Sequence, residues 1–242
     1  MKDNKVALVV GAGDAIGGAI AKAYALKGFT VCMARRNAQS LSAYTETLRA
    51  EGFDAHGYGV DARNEEQVEQ LFADIEANIG VIEVVVFNIG ANVPMSILDT
   101  TAKKFYKIWE MACFSGFLVG REAARKMIQR NSGTIIFTGA TASVRGGASF
   151  GAFASAKHGL RALAQSMARE LGPKNIHVAH VIIDAAVETQ WIKDNHPDYA
   201  TLSSKDGVVQ PTDLATNYVM LHEQPRNAWT FELDIRPWVE KW

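Results

Sequence analysis

The chain has 242 residues, 26 acidic against 25 basic, and a net charge of −1. That balance excludes a surface built to neutralise a nucleic-acid backbone, which needs a basic excess. With 48% apolar and 21% charged residues, the composition is neither disordered nor membrane-spanning, and the length suits one α/β domain with a full core.

The start carries only a short apolar run before Gly11, and no stretch reaches the roughly 18 apolar residues of a membrane span. A soluble, cytoplasmic protein is expected, with neither nucleic acid nor membrane as partner. Cys32 and Cys113 are isolated, which fits a reducing compartment better than a disulfide framework.

From Lys5 to Val10 the apolar run is continuous, as in a strand covered on both faces. It enters Gly11-Ala12-Gly13-Asp14-Ala15-Ile16-Gly17-Gly18 and then a helical pattern to Leu26. Strand, glycine turn and helix form a phosphate-binding arrangement. Glycine lets the backbone turn tightly beside a pyrophosphate, and free N–H groups at the helix start carry partial positive charge. Gly11, Asp14, Ile16 and Gly17 are the candidate contacts; an ordinary strand-to-helix turn is the plain alternative.

A second strand, Thr30 to Ala34, ends in Arg35-Arg36. At that end of a dinucleotide fold an acid would hold the ribose 2′-hydroxyl of NAD, whereas arginine accommodates the 2′-phosphate of NADP. No acid adjoins, so NADP(H) is the expected cofactor; the alternative is an exposed basic strand end. A polar helix follows from about Gln39 to Glu51, then a strand from Asp54 to Val60 closed by Asp61, a possible helix N-cap. An acidic helix from Glu65 to Ile79 precedes a buried strand, Val81 to Phe87, which ends in Asn88-Ile89-Gly90. Leu98 to Arg130 reads as one or two long helices.

Thr134 to Phe137 is a strand, Thr138 to Ser149 a polar loop, and the pattern to Leu171 an amphipathic helix. Phe153 and Lys157, four apart, share one helix face. Ile176 to Ile183 is a strand leading to Asp184. On it His177 and His180 fall on opposite faces, and no histidine pair has ligand spacing, so no metal is expected. Trp191 to Gly207 is poorly periodic, Pro211 to His222 is helical, and Thr230 to Ile235 is a last strand. The alternation indicates an α/β doubly wound parallel sheet.

The segment Gly133 to Leu171 resembles the active-site region of the short-chain dehydrogenase/reductase family, where a loop serine is followed thirteen positions later by Tyr-x-x-x-Lys. Lys157 is the lysine; Phe153 stands at the tyrosine position and Ala140 at the serine. Of the turn T-G-x-x-x-G-x-G, Gly11 and Gly17 match while Val10 and Ala15 depart. Of N-N-A-G, Asn88 and Gly90 match, and Cys113 stands where Asn-x-x-Gly has its asparagine. Of P-G-x-V-x-T, Val187 and Thr189 remain, and Asp184 and Ala185 replace Pro-Gly.

The resemblance covers roughly residues 5 to 235. It implies a single-domain Rossmann fold of three αβα layers with a substrate lid at about 190–207. It also implies an adenine contact for Asp61, and nicotinamide contacts for Val187 and Thr189. Lys157 would bind the nicotinamide ribose. In the family the tyrosine exchanges the substrate proton, the lysine lowers its pKa, the serine polarises the carbonyl and the asparagine holds a relay water.

Two readings follow. One is an NADP(H)-dependent oxidoreductase for a small carbonyl or alcohol substrate, its proton path running through Lys157 with Thr141, Ser149, Asp184 or His158. The other is an NADP(H)-binding protein without redox turnover: a non-redox enzyme, a sensor or a structural partner. Each candidate besides Lys157 has a plain alternative, as loop hydrogen bonds for Thr141 and Ser149, a helix surface residue for His158, and a strand-end cap for Asp184. The resemblance further implies a homo-oligomer, tetramer or dimer, pairing through Leu118–Met127 and Ala154–Met167. Ala123, Ala124, Ala156 and Ala164 would permit close helix approach, and Trp238 and Trp242 would suit an interface.

Overall fold

In the computed structural model, which describes residues 4–13 and 15–241, Lys5–Val10 forms β1, buried at all but its first residue. Asp14 and Trp242, both singled out above, lie outside the described residues. The chain continues through α1 (Ile16–Leu26), β2 (Thr30–Arg35), α2 (Gln39–Ala50), β3 (Ala55–Gly59), α3 (Glu65–Asn78) and β4 (Val81–Phe87). Next come α4 (Ala102–Trp109), a π-helical turn (Glu110–Phe114), α5 (Ser115–Arg130), β5 (Gly133–Thr138), a 3₁₀ turn (Thr141–Ser143) and α6 (Gly151–Leu171). The last part holds β6 (Ile176–Ile183), β7 (Ala186–Val187), α7 (Gln190–Asn195), α8 (Tyr199–Ser203), β8 (Val208–Val209), α9 (Pro211–Glu223) and β9 (Glu232–Ile235).

Seven strands form one parallel sheet in the order β3-β2-β1-β4-β5-β6-β9, and β7 pairs with β8 apart from it. Successive strand side chains point to opposite faces. Val6, Leu8 and Val10 therefore pack with Phe72, Leu118 and Leu160 of α3, α5 and α6. Ala7 and Val9 pack with Ile20, Leu41 and Tyr218 of α1, α2 and α9 on the other face. Burial on both sides is why the central strands are mostly apolar along their whole length and do not alternate. The strand order reverses between β1 and β4, and α/β sheets bind ligands beyond the carboxyl ends of the strands at such a point.

Several expectations are corrected. The helix expected from Leu98 starts at Ala102, where the Thr101 hydroxyl accepts from the Lys104 N–H at 3.2 Å, and it is interrupted by the π turn. Trp191 to Gly207 contains two short helices, α7 and α8. The last strand starts at Glu232, because the Thr230 N–H is taken by the Gln224 side chain at 2.7 Å. Asn64, not Asp61, caps α3, accepting from the Gln67 N–H at 3.0 Å. Ala123, Ala124, Ala156 and Ala164 are buried within this chain's own core, so they line no surface that a second copy could meet. Among the described residues no helix is long and apolar enough to cross a membrane, and no His/Cys/Asp/Glu group could hold a metal ion.

Candidate active site

At the switch point, Gly11 has φ +92°, and a Cβ there would lie 2.7 Å from the Asn88 carbonyl carbon and oxygen. Only glycine fits both the conformation and the space. Asn88 ties the two strand ends together: its N–H donates to the Val10 carbonyl at 2.7 Å and its Nδ2 to the Gly11 carbonyl at 3.1 Å. Gly17 lies beneath the turn, where a Cβ would stand 2.7 Å from the Ala12 Cα. No side chain caps the start of α1 at Ala15, and Ile16 is its first residue, half-buried. Among the described residues the first N–H groups of the helix therefore have no side-chain cap.

A cavity of 470 Å³ opens over this turn, lined by Gly11, Arg35, Arg36, Asp61, Asn88 and Gly90 together with Met111 and Ser115 of the π-turn region. The Arg35 guanidinium reaches back over the turn, 3.7 Å from where a Cβ on Gly13 would be. Arg63, which the sequence reading missed, grips Asp61 through Nε–Oδ1 at 2.9 Å and Nη2–Oδ2 at 2.5 Å, and approaches Glu110 at 3.4 Å. Hydrogen bonding from this guanidinium holds the Asp61 carboxyl below the usual range. With Arg63 so engaged, Arg35 and Arg36 remain; neither side chain forms a hydrogen bond or ion pair among the described residues, and the Arg36 charge also helps to lower Asp61.

Lys157, on α6, is 2% exposed. Its Nζ donates to the Thr138 carbonyl at 2.8 Å and the Ile89 carbonyl at 3.1 Å, at the ends of β5 and β4. An ammonium carries three N–H groups, so one is left without a protein partner among the described residues. Burial pushes the amine down to about 8. Nζ stands 5.9 Å from the centre of the Phe153 ring. Phe153, Cys113 and Ala142 share one apolar cluster against which Ala140 packs. The π turn carries Cys113 onto α6, its Sγ 2.9 Å from where a Cβ on Gly159 would be, and burial pushes its thiol up. Such turns recur at functional sites.

One turn beyond Lys157, Arg161 holds Glu232 of β9 at 2.6 and 2.7 Å, and Glu232 also meets the buried His180 Nδ1 at 3.0 Å. This clamp ties α6 to the sheet edge and so positions Lys157.

A second cavity, 360 Å³, is lined by Phe153, Ala140, Thr141, Arg145 and Phe150 among others. Thr141 donates to Asp184 Oδ1; Arg145 Nη2 lies 3.3 Å from the same oxygen, and Arg236 Nη1 lies 3.6 Å from Oδ2. Asp184 is thus engaged by a hydroxyl and two guanidiniums. Ser149 is exposed at φ +67°, its carbonyl accepting from the Met95 N–H at 2.7 Å, and lines neither cavity. His158 is exposed, with Nδ1 at 2.9 Å from the Ala154 carbonyl oxygen. Val187 is buried in β7, and the Thr189 hydroxyl caps α7, accepting from the Ile192 N–H at 3.0 Å. Thr189 and Ala15 together line a third cavity, of 410 Å³, between the glycine turn and α7.

The structure therefore gathers Gly11, Arg35, Arg36, Asp61, Asn88 and Gly90 at one cavity, with Gly17 packed beneath its turn, and Thr141 with Phe153 at the next. Lys157 sits between them, bonded to Ile89 of the first and beside Phe153 of the second.

A family model described as short chain dehydrogenase matches residues 5–200. The 2-dehydro-3-deoxy-D-gluconate 5-dehydrogenase of Formosa agariphila is 31% identical over 175 residues, spanning 72% of this chain and 66% of that protein. A solved short-chain dehydrogenase from Rhodopseudomonas palustris is 47% identical, with a TM-score of 0.84 over 97% of this chain and 99% of its own. A metagenomic short-chain oxidoreductase, solved in complex with NADP, shares the fold at 24% identity, with a TM-score of 0.82 over 96% of this chain and 97% of that one. Relatives that are dehydrogenases and reductases support an oxidoreductase. The chain belongs to the short-chain dehydrogenase family.

Proposed function

We propose that this protein is an NADP(H)-dependent oxidoreductase for a carbonyl or alcohol substrate, in which Lys157 itself exchanges the proton. The observation that carries this reading is Lys157: buried between the two cavities, two N–H groups spent on backbone carbonyls, one left over, and a pKa of about 8. The family's tyrosine, serine and asparagine positions hold Phe153, Ala140 and Cys113 here, and none of these serves as a proton donor near neutral pH. Thr141 carries a hydroxyl that lines the substrate cavity, but its proton is committed to Asp184.

The cofactor fits the first cavity on two counts. The turn at Gly11, whose positive φ and close approach to Asn88 only glycine allows, brings bare backbone to the cavity wall, and the Arg35 and Arg36 side chains line the same cavity without a hydrogen-bond partner among the described residues, available for a 2′-phosphate. Gly17, Asn88, Gly90, Asp61, Val187 and Thr189 would complete its walls, with the 190–207 segment as lid. When bound, NADPH supplies the hydride. Phe153 and its apolar neighbours exclude water beside the reacting carbonyl, and Lys157 gives the oxygen its proton in reduction or takes it in oxidation.

Charge-assisted bonds to the 2′-phosphate should make NADP(H) bind at least about 10-fold tighter than NAD(H), or roughly 1.4 kcal/mol. Titration of both cofactors against Arg35→Ala and Arg36→Ala checks this, and equal affinities unchanged by either variant would refute it.

The apolar ring around Phe153 favours a second reading, NADP(H) binding without turnover. NADPH consumption with a carbonyl panel separates the two.

We also infer a homo-oligomer, a tetramer or dimer. Tyr106, Trp109, Phe114 and Phe117 form a ladder of rings 6.0 to 6.2 Å apart along α4, the π turn and α5, and Tyr106 is 57% exposed. Aromatic surface of this kind is characteristic of interfaces. Light scattering at micromolar concentration should give a multiple of 26.4 kDa, and a monomer mass would refute the inference.

A further inference from the structure

The 360 Å³ cavity beside Phe153 is at the small end of ligand sites, room for a compound of one or two rings but not for a long chain. Two aromatic faces, Phe150 and Phe153, form its walls with Ile183 and three alanines. Among its described lining residues Arg145 alone carries a charge. The Arg145 side chain is 50% exposed and, among the described residues, makes one polar contact, to Asp184 Oδ1 at 3.3 Å. Asp184 does not depend on it, since Thr141 donates to the same oxygen and Arg236 stands 3.6 Å from the other. Arg145 therefore has most of its five N–H donors uncommitted, in the planar fork that matches a carboxylate. Nothing lies within 4 Å of a Cβ placed on the adjacent Gly146, so the approach is open.

The geometry points to an aromatic or alicyclic carbonyl compound bearing a carboxylate as the substrate class, its carboxylate held by Arg145 and its ring against Phe150 and Phe153. This rests on the oxidoreductase reading above and adds the identity of what is reduced. A cation would be repelled by Arg145, and a neutral ring would leave its fork unused.

The test uses two ring ketones alike but for charge, 4-oxocyclohexanecarboxylate and its methyl ester. Each is titrated calorimetrically into the protein with excess NADP⁺, which cannot reduce them. The acid should bind about 10-fold or more tightly than the ester. The ratio should fall to near one in Arg145→Gln and persist in part in Arg145→Lys, which keeps the charge; added salt should narrow it. Equal affinity for acid and ester in the parent, a ratio unchanged in Arg145→Gln, or no acid binding at millimolar concentration overturns the inference. NADPH oxidation is then followed with both ketones. Arg145-dependent binding without oxidation keeps this substrate site and overturns the redox reading; oxidation by the ester without preference for the acid does the reverse.

Discussion

Lys157→Met is expected to lower NADPH-dependent carbonyl reduction by about 10²–10⁴-fold, the usual worth of a positioned proton donor. The variant removes a protic group whose pKa burial brings down to about 8, held between the two cavities. It also leaves the Thr138 and Ile89 carbonyls without their donor, which should cost about 1–3 kcal/mol of stability. Thermal melting in parallel separates that loss from the catalytic one. In the parent the pH dependence has a definite sign. Burial lowers the amine to about 8, so below that pH the ammonium is present as acid and above it the free amine is present as base. Reduction should fall as pH rises through about 8, and alcohol oxidation should rise through the same point. A rate indifferent to pH between 6 and 10, or a Lys157→Met variant as active as the parent, would assign the proton to another group.

The second large effect is a gain. Ala140→Ser with Phe153→Tyr should raise reduction of generic ketones about 10-fold or more, or roughly 1.4 kcal/mol of transition-state stabilisation. A phenol at position 153 would sit on a ring already 5.9 Å from the Lys157 ammonium, and that charge favours phenolate. Ala140 lines the substrate cavity on extended backbone, so a serine hydroxyl there can hold the carbonyl. Phe153→Tyr alone should do less, because nothing then orients the substrate for transfer. Cys113 and Asp184 still differ from the family pattern, so the gain should stop well short of full family activity. A double variant that folds and binds NADPH as the parent does, yet gains nothing on a broad ketone panel, contradicts this.

The sheet was legible because its central strands are buried on both faces: Lys5–Val10 reads as a continuous apolar run after its lysine, and Val81–Phe87 and Ile176–Ile183 are mostly apolar, broken only by Glu83 and by His177 and His180. Lys157 and Phe153 were legible from helical spacing, and Gly11 and Gly17 from the strand-turn-helix pattern. What escaped is made by tertiary approach. Arg145 and Arg236 reach Asp184 from positions far apart in the chain, and Arg161 reaches Glu232 of the sheet from the helix layer. None of these three pairings leaves a periodic signal. The π turn at Glu110–Phe114 shifts the helix register without any proline or glycine within it to announce it. The alanines expected at an outer helix face turned inward, because small residues suit close packing inside a chain as well as between chains. Helices as short as α7 and α8 offer too little of a 3.6-residue period to be seen.

Hydride transfer is read most directly with [4,4-²H₂]NADPH and 4-oxocyclohexanecarboxylate, weighing the product by mass spectrometry. Deuterium on the carbinol carbon, sharply reduced in Lys157→Met, is the expected result. A protein that binds NADPH tightly, yet leaves all the label in the cofactor with this acid and with neutral ring ketones, contradicts the oxidoreductase reading and establishes a cofactor-binding scaffold without turnover.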